Sequence, residues 1–359
     1  MTQYVIRRIL YSIPVIIGIL VVTFVLARSI PGDPCKAMLG EKATAEVCER
    51  YNREHGLDQP IPVQFWVFMK EIARGDFGES LRFSRPVTII LIERLPTTIE
   101  LGLAALILAI IIGIPAGIIA AIRRNSILDV LVMIGANTGV SMPVYWLGLM
   151  LAYFFSLVLR DTPFWLPPSG RLTAGLTATP FYEMFGWEVA QETLKYHVLE
   201  FFANMYIFNS IITRNWEVLG DTIKHLILPA VALSTISLAI IARMTRSSML
   251  EVLRQDYIRT ARAKGLREQV VIVVHALKNS LIPVVTILGP MFASIVTGTF
   301  VVEQIFGING MGKHFVQSVG NRDYQVITGL TLLFGMILIV ANLMVDIMYA
   351  WLDPRIRYE

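Results

Sequence analysis

"LGLAALILAIIIGIPAGIIAAI", residues Leu101–Ile122, contains neither a charge nor a side chain that hydrogen-bonds. As a helix rising 1.5 Å per residue it is roughly 33 Å long, enough to cross the ~30 Å hydrocarbon core of a bilayer. Lipid offers no partner to a free backbone N–H or C=O, so such a run is stable there only as a helix that bonds to itself. Five more uncharged stretches lie along the chain: Ile9–Ala27, Val130–Leu159, Leu226–Ala242, Asn279–Val302 and Tyr324–Val345. Leu226–Ala242 is the shortest, at the ~17-residue lower bound for a span. Of the 359 residues 55% are hydrophobic and 16% charged, where a soluble domain carries about 25% charge. The fold class expected is an all-α polytopic membrane protein with about six transmembrane helices. The formal net charge of +4 is too small to indicate nucleic acid and reads as topology.

The arginines and lysines set the orientation. Arg7 and Arg8, Arg123 and Arg124, the basic residues from Arg243 to Lys278, and Arg355 and Arg357 all fall on one side if the spans alternate. Short loops rich in Lys and Arg stay inside, so both termini are expected in the cytoplasm. The chain then divides into an N-terminal helix (1–30), an extracytoplasmic segment (31–100) and a transmembrane domain (101–359). That domain carries an extracytoplasmic insert at 160–225 and a cytoplasmic loop at 243–283. The first apolar run is too long for a signal-peptide core and no A-x-A site follows it, so an uncleaved span is the expectation. "FFANMYIFNSII", Phe201–Ile212, is too short to span and is expected in the interface or on the outer domain; if it did span, everything after it would invert. An amphipathic segment is expected near Val63–Ile72.

Two small-residue pairs stand four apart, Gly113 and Gly117 in "GIPAG" and Gly135 and Gly139 in "GANTG". Such spacing lets helix backbones approach closely, although glycine is common in membrane helices by chance. Pro115, Pro143 and Pro283 are expected to bend or end helices. Ionisable residues keep to span ends, Glu100 at an outer one and Asp346 near an inner one, which argues against an ion-coupled carrier. His55, His197, His225, His275 and His314 lie near or beyond span ends and none begins HExxH, so an intramembrane enzyme finds no support. Cys35 and Cys48 share the first outer segment, on the oxidising side in bacteria; a disulfide between them and two separate thiols both stay open. Two cysteines are too few for zinc, and no metal is expected.

"DYIRTARAKGL", Asp256–Leu266, lies in the inner loop. Asp256 suits the N-cap of a helix over Tyr257–Lys264, Gly265 suits the position after its end, and Arg262 and Lys264 favour the dipole of the last turn. Ala261 and Ala263 keep it thin. Physics alone leaves two readings, a docking rod for another protein or a solvated basic loop.

The stretch resembles the coupling-helix motif of bacterial ABC importer permeases, specifically the dipeptide/oligopeptide/nickel class, in the form "DYIRTARAKGL…HALKNSLIPV" from Asp256 to Val284. The general form begins Glu-Ala-Ala (the EAA motif); here Arg259, Thr260 and Ala261 stand in those places before Gly265, as in the peptide class. The likeness extends along nearly the whole chain through "IPGDP", "GDFGES", "RLPTTIELG", "SMPVYWLG", "ARMTRSSMLEVL", "EQIFGINGMG" and "DPRIR". It is poorest between Cys35 and Cys48 and over Gly175–Asn215.

The resemblance implies a permease subunit of the bacterial inner membrane that imports short peptides or a related small solute. It implies a second, homologous permease as partner, commonly a non-identical one, an extracytoplasmic substrate-binding protein, and two ATPase subunits that bind ATP and Mg²⁺. The residues implied in gripping an ATPase are Asp256, Tyr257, Arg259, Ala261, Arg262, Lys264, Gly265 and Leu266. The chain itself would hold no cofactor and catalyse nothing. "GINGMGKH", Gly307–His314, nearly fits a phosphate loop, but His314 replaces the hydroxyl that holds Mg²⁺ and the topology puts it outside the cell. A glycine-rich turn on the outer gate is the expectation. A stand-alone channel or secondary carrier is the alternative, and it would have no use for a docking helix.

Overall fold

In a computed structural model the described residues are 2–29, 44–54, 58–80, 82–190, 193–321 and 323–352. The "IPGDP" and "DPRIR" motifs and Cys35 lie outside them; Cys48 is disulfide-bonded. Apart from one isolated bridge, Glu79 to Pro86, the regular elements described are helical. They are α1 (Thr2–Ser29), α2 (Ala45–Glu54), α3 (Ile61–Ala73), α4 (Val87–Ile122), α5 (Ile127–Ser141) and α6 (Val144–Ala152), which runs on into a π turn, Tyr153–Val158. Three short helices form the insert, α7 (Phe181–Met184), α8 (Leu194–Ala203) and α9 (Tyr206–Ile212). Then come α10 (Trp216–Val252), α11 (Asp256–Ala263), α12 (Ile282–Gly298), α13 (Phe300–Ile305), α14 (Met311–Asn321) and α15 (Tyr324–Leu352).

Among the described residues four helical segments are long and apolar enough to cross a membrane: Val87–Ile122, Trp216–Val252, Ile282–Ile305 and Gln325–Val345. Within α1 the apolar part is Leu10–Val25. The stretch Val130–Leu159, expected as one span, is a broken pair: α5 and α6 meet at 101°. Pro143 has no N–H to continue the ladder, and Met142 takes an extended ψ of 128°, so the helix ends where proline forces it to. The marginal stretch Leu226–Ala242 is the middle of a 37-residue helix. Charged residues at both of its ends are held by partners rather than by loop. Thr173 donates to Asp221 through backbone and hydroxyl at 2.7 Å each, and Arg246 clasps Asp129 at 2.6 and 2.7 Å.

The centre of the bundle is α4 against α10. Ala105, Ala109, Gly113, Gly117 and Ala121 recur every fourth residue on the buried face of α4, the spacing that keeps side chains on one helical stripe. A Cβ at Gly117 would sit 2.6 Å from the Ala242 carbonyl oxygen and 2.7 Å from Cβ of Thr245. The first glycine pair is thus a true helix contact. The second is not: Gly135 faces open space and Gly139 meets Thr235 at ordinary contact distance. Around this pair pack α5, α12 and α15, with α1 against α15.

The insert is pinned to the N-terminal half of α4 through one arginine. Arg171 donates to Glu100 and the Asn204 carbonyl at 2.7 Å each and to Thr97 at 2.8 Å, and its guanidinium lies 3.8 Å from the Tyr206 ring centre. Glu100 also accepts from the Ile207 N–H at 2.6 Å. A buried charge is tolerable when its partners are all supplied in this way. The apolar stretch Phe201–Ile212 accordingly folds as parts of α8 and α9, breaking at Asn204–Met205, and packs on α4 and α10.

Candidate functional site: a helix rooted on the span ends

The helix α11 begins one residue earlier than its sequence signals indicate. Gln255, with no side-chain cap bond, is the N-cap, and Asp256 is the first helical residue, paired with Arg259 at 3.2 Å. A carboxylate there still complements the positive helix end. The C-terminal end matches expectation closely. Gly265 N–H bonds to the Arg262 carbonyl at 2.9 Å and Leu266 N–H to the Ala261 carbonyl at 3.4 Å, while Gly265 adopts φ +77°. These two bonds close a Schellman cap, and the left-handed residue in it disfavours any side chain.

The eight residues singled out in this motif do not share a face. Ala261 points inward, as does Ile258, which is wholly buried. Both lie in one apolar cluster with Ala121 at the end of α4, Met249 at the end of α10, and Val271 and Ala276 in the segment leading to α12. Asp256, Tyr257, Arg259, Arg262, Lys264, Gly265 and Leu266 are exposed. The Tyr257 hydroxyl accepts from Asn279 at 2.8 Å, three residues before α12 begins. So the helix has an apolar root gripping the ends of two spans and the approach to a third, and a polar outer face. Ile258 escapes the sequence reading because a lone isoleucine among charges announces no direction; the repeat Ile258–Ala261, three apart, is the signal that could have found it.

The exposed face is less basic than its sequence. Arg262 forms a fork with Glu268 at 2.7 and 3.1 Å. Those hydrogen bonds, and then the charge of Arg262, hold the Glu268 carboxyl below its ordinary range. With Asp256–Arg259 and Arg262–Glu268 both paired, Lys264 is left as a cation without an ion pair among the described residues of the motif. The arrangement has no nucleophile–base pair, and the described residues contain no His/Cys/Asp/Glu group fit to hold a metal.

At the opposite end of the bundle the glycine-rich turn of "GINGMGKH" surrounds a carboxyl group, and that group belongs to the chain itself. The buried Glu303 carboxylate accepts from the Lys313 N–H at 2.8 Å and the Thr98 hydroxyl at 2.7 Å, while Thr98 accepts from the Met311 N–H at 2.8 Å. A helix N-terminus with free N–H groups attracts negative charge; here Glu303 fills that place at the start of α14. A Cβ on Gly310 would overlap the carboxylate. Neither the set of Thr97, Glu100 and Arg171 nor the set of Thr98 and Glu303 was legible in the sequence, since the partners are far apart in the chain.

His314, in the same turn, is buried beside Phe83 with rings 5.5 Å apart, and its Nδ1 has no partner. Burial first, and the nearby charges of Arg94 and Lys313 second, lower its pKa to about 4, with Glu93 opposing. A histidine held neutral in the fold contributes stability that is complete above the unfolded value of about 6.5 and is lost as pH falls towards 4. The melting temperature of the solubilised protein is therefore expected to drop between pH 6.5 and 4. His314→Gln should flatten that drop; an unchanged profile in the variant would assign the acid sensitivity elsewhere.

Residues 113–358 match the family model described as binding-protein-dependent transport system inner membrane component, and residues 1–102 match the N-terminal model of the same system. The chain is 42% identical to a dipeptide transport system permease protein of Alkalihalophilus pseudofirmus over 358 residues, covering 100% of both. It is 39% identical to the dipeptide transport system permease protein of Escherichia coli and to the oligopeptide transport system permease protein of Bacillus subtilis, again with full coverage of both chains.

Proposed function

The chain belongs to the family of binding-protein-dependent transport system inner membrane components, and we propose on that footing that it is the peptide-conducting permease subunit of an ATP-driven importer. Short peptides, delivered by a substrate-binding protein outside, pass through it into the cytoplasm. The relatives named for dipeptide and oligopeptide transport support that cargo. A second permease completes the path, and both termini lie in the cytoplasm. The chain hydrolyses nothing; two separate ATPases bind ATP and Mg²⁺ and dock on α11.

The observation that carries this reading is the root of α11. Ile258 and Ala261 join it to the ends of α4 and α10 and to the segment before α12, and Tyr257 is bonded to Asn279. A push on the exposed face is delivered to three spans at once through packed side chains, which transmit displacement because interiors are close-packed. ATP binding then acts as a ligand that favours one of two bundle arrangements.

Charge reversal at the lever tests it. Arg262→Glu sets two carboxylates against each other where the Arg262–Glu268 fork stood. ATPase docking is expected to weaken at least tenfold, the equivalent of ~1.4 kcal/mol. Uptake should be lost while the protein stays inserted and folded. Gly265→Glu, which strains the left-handed cap, should do the same. Copurification of an ATPase with wild type but not with either variant is the measurement. Undiminished ATP-dependent uptake by both variants would remove α11 from the coupling role.

A further inference from the structure

The elbow between α5 and α6 places broken backbone near the middle of the bundle. Gly139 lies against Thr235, close to the midpoint of α10, and the break at Met142–Pro143 follows directly. Pro143 lacks the N–H that the Gly139 carbonyl would otherwise receive, and the first turn of α6 has no side-chain cap. Irregular backbone is tolerated at membrane depth only where protein buries it or water reaches it. This chain does not bury it: Ser141 and Pro143 are exposed, as are Asn137 and Thr138 one turn before.

The side chains around the elbow point the same way. Ser141 donates to the Asn137 carbonyl at 2.9 Å, and the Asn137 side-chain oxygen accepts from Arg243 of α10 at 3.3 Å. The Thr138 hydroxyl has no partner among the described residues. Arg243 differs from its neighbour Arg246 in a decisive respect. Arg246 is neutralised by Asp129, whereas Arg243 is exposed and bonded only to a neutral amide. Lipid does not cover an array of this kind. A dry interface with another protein would bury an unpaired guanidinium at a cost of several kcal/mol. Water satisfies all of these groups together.

We propose that the α5–α6 elbow is a wall of the peptide path, with Asn137, Thr138 and Ser141 hydrogen-bonding the passing peptide backbone and Arg243 pairing with its C-terminal carboxylate. The proposal rests on the reading of the chain as a peptide importer and adds to it the surface that touches the cargo. Peptides of different sequence share these backbone groups and this carboxylate, so a wall of this chemistry accepts many side chains.

The test uses the complete transporter in membrane vesicles with dialanine as cargo. Ser141→Cys and Thr138→Cys are exposed to a water-soluble cationic methanethiosulfonate, with the unsubstituted chain as blank. Ile111→Cys, on an exposed apolar part of α4 with no polar neighbours, is the apolar-surface control. The cysteine thiolate attacks the reagent's sulfenyl sulfur, forming a mixed disulfide and releasing methanesulfinate, and that thiolate forms in water and not in hydrocarbon. Both elbow cysteines are expected to react about tenfold faster or more than Ile111→Cys, the ratio given by a ~1.4 kcal/mol barrier difference. Dialanine should slow their reaction, and completed labelling should abolish uptake. Arg243→Gln should impair uptake of dialanine and spare that of its C-terminal amide, a split that a merely structural arginine would not produce. Elbow cysteines as slow as Ile111→Cys, with and without ATP, mean that lipid or a second permease covers the elbow and overturn the proposal. ATP-dependent dialanine uptake by the unsubstituted transporter reports separately on the importer reading. If that uptake is present, unreactive elbow cysteines sink only the wall.

Discussion

Glu303→Ala is expected to loosen the end of the bundle opposite α11 and to lower the melting temperature of the purified protein sharply. The carboxylate accepts from the Lys313 N–H and from Thr98, and Thr98 in turn receives the Met311 N–H. Alanine fills neither the space nor the bonds. Each buried donor left without a partner costs about 1–3 kcal/mol, so for these two donors a total of roughly 2–6 kcal/mol is expected. That is a large share of the ~5–15 kcal/mol by which folded domains exceed their unfolded state. Glu303→Gln keeps one acceptor oxygen and should fall between wild type and alanine. The transport phenotype should follow, because Glu303 ties α13 to the start of α14 and to Thr98 of α4 at one place. A variant that melts at the wild-type temperature would show that the turn is held by its backbone alone.

Gly117→Leu is expected to be more damaging still. The new side chain would begin 2.6 Å from a backbone carbonyl of α10 and 3.1 Å from the Arg246 nitrogen. Flexible side-chain tips move aside at modest cost, but here the obstacle is main chain within a long helix. Ordinary overpacking costs about 1–3 kcal/mol; parting α4 from α10 also opens the core that contains Leu101, Ala105, Ala109, Leu233 and Ile241. Little intact protein should be recovered from the membrane. Gly135→Leu supplies the contrast, since Gly135 meets nothing within 4 Å. It should insert and accumulate normally. Equal recovery of the two variants would mean that the close approach at Gly117 is not needed for assembly.

The two glycine pairs also show how far a sequence pattern reaches. Both have the same spacing and both sit in apolar runs, yet one is a helix contact and the other is open on one side. Spacing states that two helices are able to approach; which neighbour stands there is a property of the assembled bundle. Pro143 was legible as a break, since a missing N–H acts on its own turn, but the 101° angle depends on how α6 packs against α10 and α13. The helix α11 was legible almost to the residue for the same local reason. Its closing glycine, its last-turn bonds and its length are written within ten residues, and the helix lies one place earlier at both ends than the expected Tyr257–Lys264. Its inward anchor, Ile258, was not legible, because direction is set by Met249 and Val271, which approach from other elements.

What the sequence alone determined is therefore what short-range chemistry controls: apolar runs that lipid requires to be helical, proline breaks, a glycine that closes a helix, and a motif whose likeness names the family. The tertiary structure alone decided which groups meet across long separations. Thr98 with Glu303, Glu100 with Arg171, and Asp129 with Arg246 are far apart in the chain, and each charge is stable only because distant donors surround it. The glycine turn carries the clearest case. Its pattern advertises an anion site, and the fold answers with the carboxyl group of Glu303, seven residues before its central Gly310, so the place that a phosphate would take is already filled by the chain itself.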